Sequence, residues 1–215
     1  MFQPKVIFFD AVGTLFGVRG SVGEAYGTLA QQFGVNANPA QLNRAFFACF
    51  KAREQAAFPG VETREIPRLE FEWWEAIATD TFKRAGVFGD FADFSAFFAA
   101  LYAYFATKDP WFVYPEVRST LASLRSKHIE LGVISNFDSR LYPVLEALDL
   151  AEFFSSVTIS TQVGAAKPDP HIFATALAKH GCTPEEAWHI GDSYRDDYEG
   201  AMKAQMRGIW LQRES

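Results

Sequence analysis

The pattern of apolar and polar positions divides the chain into two kinds of segment. Residues 6–9, Val-Ile-Phe-Phe, are apolar throughout and end at Asp10, which is typical of a strand buried on both faces. After residue 110, short apolar runs alternate with amphipathic stretches, and this alternation predicts a parallel, doubly wound sheet. The predicted helices cover 115–127, 139–148, 170–180 and 196–204, and the predicted strands cover 130–135, 155–160, 188–190 and 208–211.

Helix start signals support these assignments and extend them to the middle of the chain. Residues 21–24 and 183–186 form capping boxes, in which a hydroxyl residue is followed three positions later by glutamate. Residues 38–39 and 169–170 pair an N-cap side chain with proline at the first helical position. Helices are therefore expected to begin at all four places.

The segment 17–110 has helical periodicity and no convincing strand. Large apolar residues recur three or four positions apart within 42–53 and 91–105. We therefore predict a three-layer α/β core, residues 1–16 and 111–215, with an all-α helical cap inserted at 17–110. The stretch 91–105 also carries Phe97, Tyr102 and Tyr104, which leave it little polar face, so we expect it to be covered on two sides.

Composition sharpens this picture of the inserted segment. Of the 22 phenylalanines, 13 lie within 17–110, so the cap is expected to build its own small core.

The net charge of −6 argues against nucleic-acid binding, which needs lysine and arginine against phosphate. No apolar run approaches the ~18 residues of a membrane span. Cys49 and Cys182 lie far apart, which fits a reducing compartment. We expect a cytoplasmic protein with a small-molecule substrate, and we leave a homodimer open.

Polar residues with matching chemistry follow four of the predicted strands. In parallel sheets, ligands bind at the carboxyl ends of the strands, so these residues should meet at one edge. After the first strand come Asp10 and Thr14, after the second Ser135 and Asn136, beyond the third Lys167, and after the fourth Asp192, Asp196 and Asp197.

This set suits an anion and a divalent cation together. Asp10 offers a short carboxylate that can act as a nucleophile and bind a hard cation. Gly13 allows a tight turn, Thr14 and Ser135 can donate to anionic oxygens, and Lys167 can balance developing charge. Together these residues predict a site for a phosphorylated or otherwise anionic substrate.

The acidic residues near the end of the chain predict the metal ligands. Asp192, with Asp196 or Asp197, would complete an oxygen-rich Mg²⁺ site beside Asp10. Each residue alone has a structural explanation, since Asp196 and Asp197 could simply complement a helix dipole. The occurrence of four such features after four successive strands favours a site.

Four motifs carry a family resemblance. Residues 9–15, 135–136, 167–170 and 191–201 resemble the four motifs of the haloacid dehalogenase superfamily, with a helical cap inserted between the first and second. Within that superfamily, the stretch 59–74 resembles the REG-2-like branch. The resemblance covers essentially the whole chain.

The resemblance implies a mechanism and a Mg²⁺ cofactor. Asp10 would attack phosphorus and form an aspartyl-phosphate, while Thr14, Ser135 and Lys167 hold the phosphoryl oxygens and Asn136 completes the second motif. The implied metal ligands are Asp10, the backbone carbonyl of Val12 and Asp192, with Asp196 and Asp197 behind them.

Val12 departs from the phosphatase pattern. In phosphatase members of the superfamily this position holds a second aspartate, the general acid and base, a group that contributes ~10²–10⁴-fold in rate. Three functions stay open. The chain is a Mg²⁺-dependent phosphatase that is slow or restricted to good leaving groups, a 2-haloacid dehalogenase-type hydrolase using Asp10 on carbon without metal, or a catalytically weakened binding protein. The second function would need a cap arginine, for which Arg19 is the nearest candidate.

Overall fold

A computed structural model describes residues 3–213 of the chain. The chain forms two compact units, the first made of Met1–Gly17, Ala56–Ile66 and Val113–Ser215 and the second of Val18–Gln55 and Pro67–Phe112. The segment Ala56–Ile66, which the sequence analysis includes in the cap, therefore groups with the first unit. It is held there in part because the Ser160 hydroxyl donates to the Ala56 carbonyl at 2.7 Å.

The first unit is built on a parallel sheet flanked by helices, and the predicted fold class is confirmed. Its strand order is β5-β4-β1-β6-β7, and β2 pairs separately with β3. The prediction of no strand within 17–110 was wrong at residues 17 and 18, because β2 continues to Val18. The strands are β1 (Val6–Phe9), β2 (Phe16–Val18), β3 (Trp111–Val113), β4 (Glu130–Ser135), β5 (Ser156–Ile159), β6 (Ala187–Gly191) and β7 (Arg207–Trp210).

The helices begin where the start signals predict. Ser21 and Asn38 cap helices of the second unit, Asp169 caps a helix of the first, and Thr183 forms its capping box at a 3₁₀ turn. The α-helices are α1 (Val22–Gln32), α2 (Pro39–Ala52), α3 (Ile66–Arg84), α4 (Phe94–Tyr104), α5 (Val117–Ser126), α6 (Leu141–Ala147), α7 (Ser160–Val163), α8 (Pro170–His180) and α9 (Gly200–Lys203).

One predicted helix takes a different form. The stretch 196–204 is a π-helix at Tyr194–Glu199 that runs into α9. The carbonyl of Ser193 accepts from the N–H groups of both Asp197 and Tyr198, so the first turn is one residue wider than an α-helical turn. Such wide turns are frequent at functional sites.

Strand β1 lies in the middle of the sheet, as its wholly apolar sequence predicts. All four of its residues are buried, and Phe9 is in register with Val133 of β4 and Ile190 of β6. The carboxyl ends of these three strands therefore lie at the same edge of the sheet, and the residues that follow them meet there.

The second unit buries its aromatic residues among its own helices. Phe82 of α3 is fully buried and meets Tyr26, Phe91 and Phe97, with ring centroids 5.1 to 6.0 Å apart. On α4, Phe97 packs against Phe33, the residue that ends α1. Helix α4 also packs on its other flank, where Phe98 meets Phe71 of α3 at 4.8 Å.

Cys49 and Cys182 are free and half-buried. None of the helices within residues 3–213 combines the length and the apolar character needed to cross a bilayer.

Candidate active site

Lys167 connects two buried carboxylates at the carboxyl edge of the sheet. Its ammonium donates to Asp10 Oδ1 and to Asp197 Oδ1, both at 2.6 Å, and to the Ile134 carbonyl at 2.9 Å. An ammonium has three N–H donors, so these contacts occupy all of them. In this geometry the one positive charge of Lys167 is shared between Asp10 and Asp197. To donate to a substrate oxygen, Lys167 would have to give up one of its contacts.

Residues at the end of β4 fix Lys167 and Asp10 in place. The Asn136 side chain donates to the Lys167 carbonyl at 2.9 Å and accepts from the Lys167 N–H at 2.7 Å. The Ser135 hydroxyl donates to Asp10 Oδ1 at 3.1 Å. Asn136 therefore positions the backbone of Lys167, and Ser135 orients the carboxylate of Asp10.

The turn after β1 approaches the acidic loop after β6 closely. Gly13 has φ +91°, and a Cβ at this position would lie 2.5 Å from Asp192 Oδ2. Glycine is thus required both by the left-handed backbone and by the space. The Thr14 hydroxyl donates to Asp192 Oδ1 at 3.4 Å, and Val12 is half-exposed in the same turn.

Three carboxylates gather at this edge. Among the described residues, Asp10, Asp192 and Asp197 each place one oxygen within 4.8 Å of the others. Asp196 is not a member of this group. The π-helix explains the difference: the Ser193 hydroxyl accepts from the Asp196 N–H, while the Ser193 N–H donates to Asp197 Oδ2 at 2.9 Å, so Asp197 faces Lys167.

The environment shifts the ionisation of each acidic group. Burial raises the pKa of Asp10 to about 6, against the opposing charge of Lys167. Loss of solvent, helped by the nearby Asp197 carboxylate, raises the pKa of Asp192. Burial also disfavours the ionised form of Asp197, but Lys167 and His189 outweigh it and hold the pKa of Asp197 below its usual range. Asp197 is therefore the permanent counter-charge of Lys167, whose own pKa is raised because Asp10 and Asp197 outweigh its burial.

Two residues outside the predicted set contact the site. His189 is fully buried on β6, and its Nε2 donates to Asp197 Oδ1 at 2.8 Å. Burial lowers the pKa of His189, so the ring is neutral at pH 7. Arg213 donates to the carbonyls of Gly13 and Thr14. His189 precedes the fourth motif directly, a signal that could have found it, whereas no local pattern marks Arg213. Arg19 lies exposed in the second unit.

The donor set fits a hard divalent cation. Carboxylate oxygens are the ligands that Mg²⁺ and Ca²⁺ prefer. Asp10, Asp192 and Asp197 with the single ammonium of Lys167 leave an excess of two negative charges, which would repel an anionic substrate. A bound divalent cation would cancel that excess.

Comparisons with known proteins identify the family of this chain. A family model described as haloacid dehalogenase-like hydrolase matches residues 4–205. A haloacid dehalogenase-like hydrolase domain-containing protein 3 from Danio rerio is 35% identical, covering 97% of this chain and 85% of that protein. The rhythmically expressed gene 2 protein of Drosophila melanogaster is 31% identical, and the match covers 92% of this chain and 78% of that protein. The resemblance to the REG-2-like branch is thus confirmed.

Similarity extends to a phosphatase and to solved structures. A phosphoserine phosphatase from Thermus thermophilus is 38% identical over 52% of this chain and 45% of its own length. A crystal structure of a dehalogenase covers 100% of this chain and 87% of its own, with a TM-score of 0.72 and 20% identity. A crystal structure of a haloacid dehalogenase-type (HAD) hydrolase from Bacillus subtilis bound to magnesium covers 97% of this chain and 89% of its own, with a TM-score of 0.69 and 18% identity. The structural matches show a shared fold.

Proposed function

The chain belongs to the haloacid dehalogenase-like hydrolase family, and on that premise we propose that it is a magnesium-dependent phosphatase with Asp10 as the nucleophile. The observation that carries the proposal is the grouping of the Asp10, Asp192 and Asp197 carboxylates, with one ammonium paired to Asp10 and Asp197. Displacement of halide from carbon needs no divalent cation, and a haloacid is itself an anion that the excess negative charge would repel. A phosphate ester can instead enter together with a cation.

In the proposed reaction Asp10 attacks the phosphorus atom of a phosphate monoester. The P–O bond to the leaving group breaks, and the leaving oxygen departs with the electron pair. Water then attacks the phosphorus of the aspartyl-phosphate, which releases inorganic phosphate and restores the carboxylate. Ser135 and Lys167 orient Asp10, and the Lys167 charge keeps it ionised.

Asp10, Asp192 and the Val12 carbonyl would hold Mg²⁺, with Asp197 behind them, and the bound ion would neutralise charge on the phosphoryl group. Val12 supplies no proton to the leaving oxygen. The reaction should therefore favour leaving groups that are stable as anions, and alkyl phosphates should react slowly. We propose a small phosphorylated metabolite as the substrate.

The test compares p-nitrophenyl phosphate, whose leaving group needs no proton, with an alkyl phosphate. We expect hydrolysis of the aryl ester that requires Mg²⁺, stops with EDTA and is lost in Asp10→Asn. Asp169→Asn is the matched control, because Asp169 is an exposed helix cap that asparagine can replace.

Two results would replace the proposal with the other functions. Metal-independent chloride release from 2-chloropropionate that disappears in Asp10→Asn would show a dehalogenase. Magnesium binding without turnover of any phosphate or halide substrate would show a binding protein.

A further inference from the structure

The Arg213 side chain meets the turn that follows Asp10. Its Nε donates to the Gly13 carbonyl at 3.0 Å, and its Nη2 donates to the Thr14 carbonyl at 2.6 Å. We propose that Arg213 is a positioning residue, which holds this turn in the shape that metal binding and phosphoryl transfer require. The inference rests on the proposed function, but it can be measured through metal binding alone.

The guanidinium is fixed from its other sides as well. Its Nη1 pairs with Glu116 Oε1 at 2.6 Å, and its Cζ lies 3.4 Å from the centroid of the Tyr114 ring. The Tyr114 N–H in turn donates to the Leu15 carbonyl, in the same turn. All three guanidinium nitrogens thus have partners. The contacts with Glu116 and Tyr114 fix the plane of the group in the orientation that bonds the Gly13 and Thr14 carbonyls.

Within the turn, the Gly13 N–H donates to the Phe16 carbonyl at 2.8 Å, and the other hydrogen bonds converge on one acceptor. The N–H groups of Thr14, Leu15 and Phe16 all point at the Ala11 carbonyl, at 3.3, 2.8 and 3.3 Å. The carbonyls of Gly13 and Thr14 both accept hydrogen bonds from Arg213. Without the guanidinium those carbonyls would lose charge-assisted hydrogen bonds, and Thr14 would be held beside Asp192 by the bonds within the turn and by its long, 3.4 Å hydroxyl contact with Asp192.

The segment 210–213, which includes Arg213, also supports the loop that carries Asp192. The Trp210 indole donates to the Asp192 carbonyl at 2.9 Å, and the Leu211 N–H donates to the Gly191 carbonyl at 2.8 Å. Residues 210–213 therefore contact both loops that supply the proposed metal ligands. Arg213 is the member of this segment that fixes the nucleophile turn.

The experiment measures Mg²⁺ affinity by isothermal titration calorimetry and p-nitrophenyl phosphate turnover in Arg213→Ala and Arg213→Lys. We expect Mg²⁺ to bind about 10- to 100-fold more weakly in both, the range for partners that orient metal ligands, with a parallel fall in kcat/KM. Lysine should not restore binding, because an ammonium lacks the planar fork. Ethylguanidinium in the buffer should partly restore Arg213→Ala.

Arg125→Ala is the matched control. Arg125 also donates to a backbone carbonyl, that of Glu152, and its guanidinium lies 5.8 Å from the Phe153 ring, but it contacts no proposed site residue. We expect its Mg²⁺ affinity to equal that of the wild type, and thermal melts will show whether each variant is folded. If Arg213→Ala does not fold, the Mg²⁺ affinity of Arg213→Lys tests the inference.

The inference is overturned if folded Arg213 variants bind Mg²⁺ and turn over substrate like the wild type, or if Arg125→Ala shows the same loss. Failure of the proposed function has a different signature. In that case the wild type binds Mg²⁺ but hydrolyses no phosphate ester, and the affinity ratio between wild type and Arg213→Ala still tests the positioning role.

Discussion

Replacing Asp10 with asparagine should stabilise the metal-free protein, although it removes the proposed nucleophile. Burial raises the pKa of Asp10 from 3.8 to about 6. At about 1.4 kcal/mol per pH unit, the ionised carboxylate destabilises the folded chain by about 3 kcal/mol relative to the unfolded chain. Asparagine keeps a similar shape without the charge.

The sign of the pH dependence follows from the raised pKa. The folded state binds the proton more tightly than the unfolded state, so the stabilising contribution of protonated Asp10 is complete below pH 4. It is lost as the pH rises through about 6. The advantage of Asp10→Asn should therefore be largest at pH 8, about half as large at pH 5 and about a fifth as large at pH 4.

The assay is thermal unfolding followed by circular dichroism in EDTA at pH 8 and pH 5. For a chain of this length, each kcal/mol moves the Tm by about 2–4 °C, so the gain at pH 8 should reach up to about 10 °C. Saturating Mg²⁺ should reverse the order, since it stabilises the wild type and binds Asp10→Asn weakly. Asp169→Asn makes the same chemical change at an exposed cap and should show no such pH-dependent gap.

A lower stability of Asp10→Asn than of the wild type in EDTA at pH 8 would refute this prediction. In that case the ion pair with Lys167 outweighs the burial of Asp10. A gap that stays constant between pH 8 and pH 5 would also refute it, because the effect would then not come from ionisation of Asp10.

Three further predictions test other parts of the structure. Val12→Asp should raise the hydrolysis of alkyl phosphates by ~10²–10⁴-fold by supplying the missing acid; steady-state kinetics check this, and an unchanged rate in the folded variant counts against our account of Val12. Mg²⁺ affinity should fall about tenfold per pH unit below pH 6, because protons compete for Asp10; calorimetry between pH 5 and pH 8 measures it, and a flat profile contradicts it. Phe82→Ala should destabilise the second unit by about 3–5 kcal/mol, seen by urea unfolding, whereas truncation of the exposed Phe47 should have little effect.

The order of the core elements could be predicted because it depends on local sequence signals. The apolar run before Asp10 identifies the central strand, and the strand at 130–135 appears with the predicted limits. The N-caps at Ser21 and Asp169 are also local, since a side chain there bonds a backbone N–H two or three residues away. Such signals involve only a few neighbouring residues, so they predict local structure without knowledge of the tertiary fold.

The membership of the acidic cluster could not be predicted to the residue. Asp196 and Asp197 are adjacent and chemically equal in the sequence, and an α-helix would have presented them differently from the π-helix that forms. The wide turn at Ser193 brings Asp197 to Lys167 and His189. Which carboxylate faces the site thus depends on one extra residue in one turn, and no pattern of residue types encodes it.

Local sequence patterns were enough to predict the parallel sheet, the helical nature of the inserted segment and the chemical types of the residues at the sheet edge. They were enough because periodicity, capping and the strand-end rule need only near neighbours along the chain. Three features follow from tertiary contacts instead. Lys167 pairs with both Asp10 and Asp197, and residues 56–66 group with the first unit. Arg213 donates a hydrogen bond to the turn 200 residues before it. Those contacts join residues far apart in the chain, and only the folded backbone brings them within hydrogen-bond distance.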